Sequence, residues 1–240
     1  MTLMGISSKL GLRSWSVSLG LMLAIAPCAI YASSAETEVA QFDTIIIGAS
    51  YAEGWHLESV GEQSVLNVGV GGEETGQMLD RFERDVVSRR PKVVIIWGLI
   101  NDVFRSPAGQ MSSTEEQVKA NYLAMIDMAM ANGIKVAVAS EVTMGPKAGF
   151  SEWIRGVIGR ARGKVSYQER INANVSRINL WLREISHQKG LTFLDFEKAL
   201  AGDNGMRLSE YCQPDGSHIS DPGYSALTEY ARPILMSEFD

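Results

Sequence analysis

The sequence predicts an α/β protein, organised as a three-layer α/β/α sandwich around a central parallel sheet of about five strands. Short apolar runs alternate along the chain with longer stretches that have helical spacing. The apolar runs are nearly continuous in Val and Ile, as in parallel strands that are buried on both faces. The part of the 240-residue chain that follows the N-terminal segment is long enough for one such domain.

The strands and helices follow one another in a regular order. Strands are predicted at residues 42–48, 64–69, 92–98, 134–140 and 191–196. Helices are predicted at residues 74–90, 114–133, 167–190 and 221–239. Asn132 and Gly133 form a typical C-terminal stop signal for the second of these helices. This alternation favours an open, doubly wound sheet.

The N-terminal segment, residues 1–35, has the pattern of a secretory signal peptide. Lys9 and Arg13 precede an apolar stretch, and small residues follow it up to Ala35. An uncleaved membrane anchor is the alternative, because the apolar stretch approaches the length of a membrane span. Pro27 and the small residues at its end favour cleavage. We therefore expect an exported protein, periplasmic or secreted, with one domain over residues 36–240.

Charge and residue usage exclude several function classes. The formal net charge is −6, and an acidic domain is a poor partner for nucleic acid, whose phosphates need concentrated cations. Cys212 is the one cysteine that remains after the leader, so an intramolecular disulfide is excluded. His56, His187 and His218 are far apart in sequence and show no metal-ligand spacing. We expect neither a metal nor another cofactor.

Chemically useful residues follow several of the predicted strands. Ser50 follows the first strand, the glycines of "NVGVGGEET" follow the second, and Asn101 follows the third. Asp215 and His218 precede the last helix. Because ligands bind outside the carboxyl ends of strands in open parallel sheets, we expect these residues at one edge. Taken singly, each also fits a structural role such as a turn or a helix cap.

In this order, the residues resemble the SGNH (GDSL-type) hydrolase family, whose fold is flavodoxin-like. Gly48-Ala49-Ser50 is similar to the first family block, and "DGSHISDPGY" is similar to the last. Gly72 and Asn101 match the glycine of the second block and the asparagine of the third. Two positions differ from the family pattern. Ala49 replaces an aspartate, and Leu99 stands where a glycine is usual.

The resemblance implies a catalytic triad and an oxyanion hole. Ser50 is the nucleophile, His218 is its base and Asp215 orients the imidazole, which suits the chemistry of a serine hydroxyl. The backbone N–H groups of Ser50 and Gly72 and the side-chain amide of Asn101 form the oxyanion hole. We therefore predict a serine esterase that acts on a small-molecule or envelope acyl ester. The alternatives are an O-acyltransferase that acts on envelope carbohydrate and a non-catalytic carbohydrate- or lipid-binding module with the same fold.

Residues 145–170 form a locally basic segment in this acidic chain. Its cations are Lys147, Arg155, Arg160, Arg162, Lys164 and Arg170. Apolar residues within it have helical spacing, which predicts a short amphipathic helix with a cationic flank. One interpretation is a lid that draws anionic substrates or surfaces towards the site, and the other is a flexible connection with solvated arginines. The oligomeric state is not predicted.

Overall fold

The computed structural model describes residues 42–145, 166–202 and 205–239, and these contain six strands. The strands are β1 (Thr44–Gly48), β2 (Ser59–Val60), β3 (Gln63–Asn67), β4 (Val93–Trp97), β5 (Lys135–Ala139) and β6 (Thr192–Leu194). They form one sheet in the order β2-β3-β1-β4-β5-β6. Five of them are parallel, as predicted, and β2 pairs antiparallel with β3 at the edge.

Strand β2 was missing from the prediction. It is only two residues long, too short to show a periodic pattern, and it pairs with β3 through a tight hairpin at Gly61 and Glu62. Gly61 has a φ of +61°, which glycine adopts without steric cost. The sheet therefore has one more strand than the five that the apolar runs predict.

Seven helices lie in the part of the chain that the structure describes. They are α1 (Ser50–Glu53), α2 (Thr75–Asp85), α3 (Ile100–Arg105), α4 (Met111–Ala131), α5 (Tyr167–Lys189), α6 (Phe196–Ala199) and α7 (Asp221–Met236). The four long helices confirm the predicted ones, and α1, α3 and α6 were not predicted. Helix α2 ends five residues before its predicted end, at residue 90, because a short 3₁₀ turn, Val87–Arg89, follows it.

The core lies between the sheet and the flanking helices. The central strands β1 and β4 are buried along their whole length, as their Val and Ile runs predict. Helix α4 buries Val118, Tyr122, Met125 and Ile126 on one face, which is the helical spacing seen in the sequence. The predicted α/β/α architecture is confirmed, with helices that flank a mostly parallel sheet.

Strand β1 is the point where the strand order reverses. The chain runs from β1 to β3 on one side and then returns to β4 on the other side. In open α/β sheets, the crevice outside the carboxyl ends of such strands is the usual ligand site. Gly48 ends β1 in close contact with β4, because a Cβ there would lie 1.9 Å from the carbonyl oxygen of Trp97.

The predicted leader, residues 1–35, and the residues 146–165 of the basic segment lie outside the described residues. Among the helices of the described ranges, none is both long enough and apolar enough to cross a bilayer.

Candidate active site

Ser50 is the first residue of α1 and follows the end of β1 directly. The Ala49 N–H donates to the Trp97 carbonyl at 3.3 Å, which anchors this turn on β4. A residue at the first position of a helix has a backbone N–H with no partner inside the helix. Ser50 is half-buried, and its hydroxyl has no hydrogen-bond partner among the described residues. Both its hydroxyl and its N–H are therefore available to a substrate.

The loop after β3 is held against α1 by Asn67. The Asn67 amide donates to the carbonyls of Ala52 at 2.6 Å and Trp55 at 2.9 Å, and its oxygen accepts from the Gly69 N–H at 2.8 Å. Gly72 lies further along this loop with a φ of +82°, in the left-handed region that favours glycine. The sequence-based reasoning did not identify Asn67 as a residue of the site, and it placed Asn67 inside a strand at 64–69, whereas β3 ends at Asn67.

Asn101 lies on α3, just after β4, and faces the glycine loop. Its amide donates to the carbonyl of Glu73 at 2.8 Å, and Glu73 is the residue after Gly72. The Gly72 carbonyl accepts from Arg105 at 2.7 Å, a second link between α3 and this loop. The two side chains of α3 therefore fix the glycine loop beside Asn101. This places two of the three predicted oxyanion donors on neighbouring segments.

A buried acid, Glu141, supports the turn that leads to Asn101. One of its carboxylate oxygens accepts from the N–H groups of Leu99 at 2.7 Å and Ile100 at 3.1 Å. Burial raises the pKa of Glu141 to about 7, although these N–H donors and that of Val142 act to lower it. Leu99 is the position where the family pattern has glycine, and here a carboxylate satisfies the backbone of the turn.

Asp102 is a second buried acid beside the site. It accepts from the Thr75 hydroxyl at 2.7 Å and from the Thr75 N–H at the start of α2. Burial raises the pKa of Asp102 to about 6, against the hydrogen bonds from Thr75, which lower it. Asp102 therefore joins α3 to α2, and this contact supports the structure around Asn101.

Asp215 and His218 form a close pair in the loop before α7. The distance from His218 Nδ1 to Asp215 Oδ2 is 2.5 Å. The other carboxylate oxygen accepts from the N–H groups of Ser217 at 2.8 Å and His218 at 2.9 Å. Burial opposes ionisation, but the hydrogen bonds from His218 and Ser217 outweigh it and lower the pKa of Asp215 to about 2. An ionised Asp215 fixes the ring so that Nε2 is the nitrogen left for a reacting group.

The loop that carries this pair is held by two residues that the sequence-based reasoning did not identify. Tyr51 donates to the Ser217 carbonyl at 2.7 Å. Arg207 Nη2 donates to the same carbonyl at 2.6 Å and to that of Gly216 at 3.2 Å. Arg207 is 2% exposed, and its guanidinium lies over the Tyr51 ring at 6.0 Å. No sequence pattern marks Arg207, but Tyr51 is the neighbour of Ser50.

Ser50 and His218 both line a groove of about 1020 Å³. Among the described residues, no hydrogen bond joins Ser50 to His218. A hydrogen bond between a nucleophile and its base is often loose until substrate binds. Asp215 is paired with His218 in this arrangement, and the loops with Gly72 and Asn101 lie next to α1. A Cβ built on Gly71, next to Gly72, would lie 3.9 Å from the Ser50 Cβ. The structure therefore gathers the predicted residues at the carboxyl ends of the strands.

Several further residues near the site have structural contacts. Trp55 and Trp97 pack in the core beside the site, with ring centroids 5.9 Å apart. Asp195 caps α6 by accepting from the Lys198 N–H. In the described ranges, there is no group of three or more metal-ligating side chains that could hold an ion. Arg170 is the cation of the basic segment that falls among the described residues, and its guanidinium lies over the Tyr167 ring at the start of α5. The predicted amphipathic helix lies outside the described residues.

The sequence matches the model of a known protein family. A family model for the GDSL-like Lipase/Acylhydrolase family matches residues 47–226, a span that includes Ser50, Gly72, Asn101, Asp215 and His218. No curated protein matches the sequence.

Three solved structures have a similar fold. A GDSL-like lipase from Bacteroides thetaiotaomicron is 23% identical, with a TM-score of 0.61, and the match covers 81% of this chain and 88% of that one. A lipase/acylhydrolase from Enterococcus faecalis is 19% identical, with a TM-score of 0.58 and coverage of 82% and 96%. A mutant of an acetyl-xylooligosaccharide esterase from Geobacillus is 16% identical, with a TM-score of 0.61 and coverage of 80% and 94%.

Proposed function

Because the chain belongs to the GDSL-like lipase/acylhydrolase family, we propose that it is an exported serine esterase that cleaves a carboxylic ester through an acyl-enzyme on Ser50. The observation that carries this proposal is the Asp215–His218 pair, 2.5 Å apart, in the loop that lines the same groove as Ser50. A base that is already oriented by a carboxylate is what a serine hydroxyl needs to become a nucleophile.

The first half of the reaction forms the acyl-enzyme. Ser50 Oγ attacks the acyl carbon while His218 Nε2 takes the hydroxyl proton, and Asp215 stabilises the imidazolium that results. The tetrahedral intermediate collapses as the ester C–O bond breaks. The proton on His218 passes to the departing alcohol oxygen.

The second half releases the acid. A water molecule attacks the acyl carbon of the Ser50 ester, and His218 takes one of its protons. When the bond to Ser50 Oγ breaks, His218 returns this proton to Ser50. The enzyme is restored, and the acid leaves with the oxygen of the water.

The negative oxygen of each tetrahedral intermediate needs donors that are already in place. The N–H groups of Ser50 and Gly72 and the second hydrogen of the Asn101 amide serve this role in the proposal. The first hydrogen of that amide is engaged by the Glu73 carbonyl at 2.8 Å, which fixes the orientation of the amide. Loss of one such donor costs about 3 kcal/mol of transition-state stabilisation.

Substitution of the nucleophile tests the proposal. Ser50→Ala removes the attacking oxygen, so hydrolysis of 4-nitrophenyl acetate should fall by more than about a thousandfold. Ser59→Ala is the matched control, because Ser59 is exposed on the edge strand β2, away from the groove. It should retain wild-type turnover. A Ser50→Ala protein with a native circular dichroism spectrum and substantial esterase activity would refute the role of Ser50.

A further inference from the structure

The groove that contains Ser50 and His218 extends well beyond these two residues. Tyr224 on α7 donates to the carbonyl of Tyr51 at 3.1 Å, and Trp55 donates to Thr228 at 2.9 Å. These paired contacts show that α7 runs beside α1 and the residues after it. The groove follows this seam, because its lining comes from both segments.

One wall of the groove is a single polar face of α7. Asp221, Ser225, Thr228, Glu229 and Arg232 line it, and their spacing of three and four residues places them on one side of a helix. At a rise of 1.5 Å per residue, the distance from Asp221 to Arg232 corresponds to about 16 Å of helix. This wall is longer than one monosaccharide.

The opposite wall is also polar. It includes Glu53 and His56, which are exposed, whereas Trp55 is only 1% exposed and offers no open aromatic face. A long acyl chain gains its binding energy from burial against apolar side chains, and among the described lining residues only Trp55, Tyr224 and Pro233 have mainly apolar side chains. Quaternary ammonium groups are held by aromatic faces, which are also scarce here. The groove instead offers hydrogen-bond donors and acceptors along its length.

The charge of the groove disfavours an anionic ligand. Among the described residues that line the groove, Glu53, Asp221 and Glu229 provide three carboxylates and Arg232 provides the one guanidinium. Carboxylates accept hydrogen bonds from hydroxyl groups and repel other anions. A neutral compound with many hydroxyl groups fits this combination best.

Glu53 is the acid of the groove lining that is nearest to Ser50 in the sequence. It lies three residues after Ser50 on α1, and both side chains lie against Gly71. A Cβ on Gly71 would be 2.6 Å from Glu53 Oε2 and 3.9 Å from the Ser50 Cβ. Among the described residues, the Glu53 carboxylate has no hydrogen-bond or ion-pair partner. It is therefore free to accept hydrogen bonds from the substrate close to the scissile ester.

We infer that the groove binds an O-acylated neutral oligosaccharide, and that Glu53 recognises the hydroxyl groups of the sugar that carries the acyl group. This inference rests on the proposed esterase function. Glu229 contacts the oligosaccharide further along α7. The polar groove, rather than the acyl group, then provides most of the selectivity.

A panel of esters tests the substrate class. The wild-type protein should show a higher kcat/KM for O-acetyl cellotriose than for O-acetyl glucose, O-acetyl trigalacturonate, acetylcholine or 4-nitrophenyl palmitate. A higher kcat/KM for the palmitate, the galacturonate or acetylcholine would overturn the inference. Equal kcat/KM values for O-acetyl cellotriose and O-acetyl glucose would refute the binding of further sugars along the groove.

Two variants test the residues. Glu53→Gln keeps the size of the side chain but weakens its acceptors, so kcat/KM for O-acetyl cellotriose should fall at least fivefold more than kcat/KM for 4-nitrophenyl acetate. Glu229→Gln should reduce kcat/KM for O-acetyl cellotriose more than for O-acetyl glucose. Glu58→Gln is the control, because Glu58 is exposed and lies outside the groove lining.

The outcomes separate the two proposals. Hydrolysis of 4-nitrophenyl acetate that depends on Ser50, together with equal losses on both substrates in Glu53→Gln, would refute the carbohydrate groove and leave the esterase function intact. Hydrolysis of no ester at all would refute the esterase function itself.

Discussion

Glu141 shows how one buried side chain can support a turn beside the site. The turn from β4 to α3 carries Leu99 where the family has glycine, and the carboxylate of Glu141 accepts from the N–H groups of Leu99 and Ile100. Without this acceptor, two N–H groups would be buried with no partner, each at a cost of about 1–3 kcal/mol. Glu141 therefore acts as a positioning residue for Asn101, which follows this turn.

The raised pKa of Glu141 predicts a pH-dependent stability. Burial raises its pKa in the folded protein from the ordinary 4.5 to about 7. The folded protein therefore binds this proton more tightly than the unfolded chain does, so its contribution to stability is complete below pH 4.5 and is lost as the pH rises towards 7.

In Glu141→Gln, this contribution cannot be lost with pH. The free energy of unfolding of this variant should decrease less than that of the wild type between pH 5 and pH 7, by about 2 kcal/mol. Asp102, whose pKa is also raised, remains in both proteins. Urea denaturation at several pH values measures the difference. Parallel pH profiles of the free energy of unfolding for the two proteins would contradict a raised pKa of Glu141 in the folded protein.

At the scale of single residues, the sequence points to the proposed reactive groups more readily than to the residues that support them. Ser50, Asp215 and His218 are recognisable because they follow apolar strands or precede a helix in a characteristic order. Arg207 and Glu141 act through backbone groups that are distant in sequence, and these contacts exist only in the folded chain. Glu141 directly follows the strand predicted at 134–140, but its backbone partners, Leu99 and Ile100, follow a different strand.

The elements that shape the site are the short loops at the ends of the strands. The loop from Asp215 to His218 is held by Tyr51 and Arg207, which both donate to the Ser217 carbonyl. Arg207 is also oriented by its contact with the Tyr51 ring. The Asp215–His218 pair is thus connected to α1, the helix that begins with Ser50.

Removal of either of these donors should loosen the loop. Tyr51→Phe deletes one hydrogen bond and should destabilise the protein by about 1 kcal/mol. Arg207→Ala deletes the bonds to Gly216 and Ser217 and should cost about 1–3 kcal/mol, with kcat falling more than KM rises. Because the two side chains share a carbonyl and are in contact, their effects should not be additive. Additive losses, or an unchanged kcat in Arg207→Ala, would show that the loop is held in another way.

Element prediction succeeded where an element is long and failed where it is short. The five parallel strands lie in mostly apolar segments of six or seven residues in the sequence, and the four long helices have clear helical spacing. Strand β2 has two residues, and α1 and α6 have four each. Such elements are defined by their tertiary contacts, which a local pattern does not contain.

The whole molecule places its chemistry where the sheet topology requires it. Strand order reverses at β1, and the residues that follow β1, β3 and β4 meet outside the carboxyl ends of these strands. The acidic charge of the chain, −6 overall, agrees with a groove in which carboxylates outnumber cations. These features make a neutral substrate more suitable than an anionic one.

The leader makes a prediction about the whole chain. If residues 1–35 are a signal peptide, the protein recovered from the periplasm or culture medium should begin at or near Glu36, because signal peptidases cleave after small residues. N-terminal sequencing of the exported protein measures this. A membrane-bound protein that retains Met1 would instead support the anchor.

The most direct test of the account is the covalent labelling of Ser50. The protein is incubated with a serine-directed fluorophosphonate, and its intact mass and peptide masses are measured. We predict a single adduct on the peptide that contains Ser50, slower labelling in His218→Ala and no adduct in Ser50→Ala, because the label needs a serine activated by its imidazole. An adduct on another residue, or none in a protein that hydrolyses 4-nitrophenyl acetate, would contradict the account.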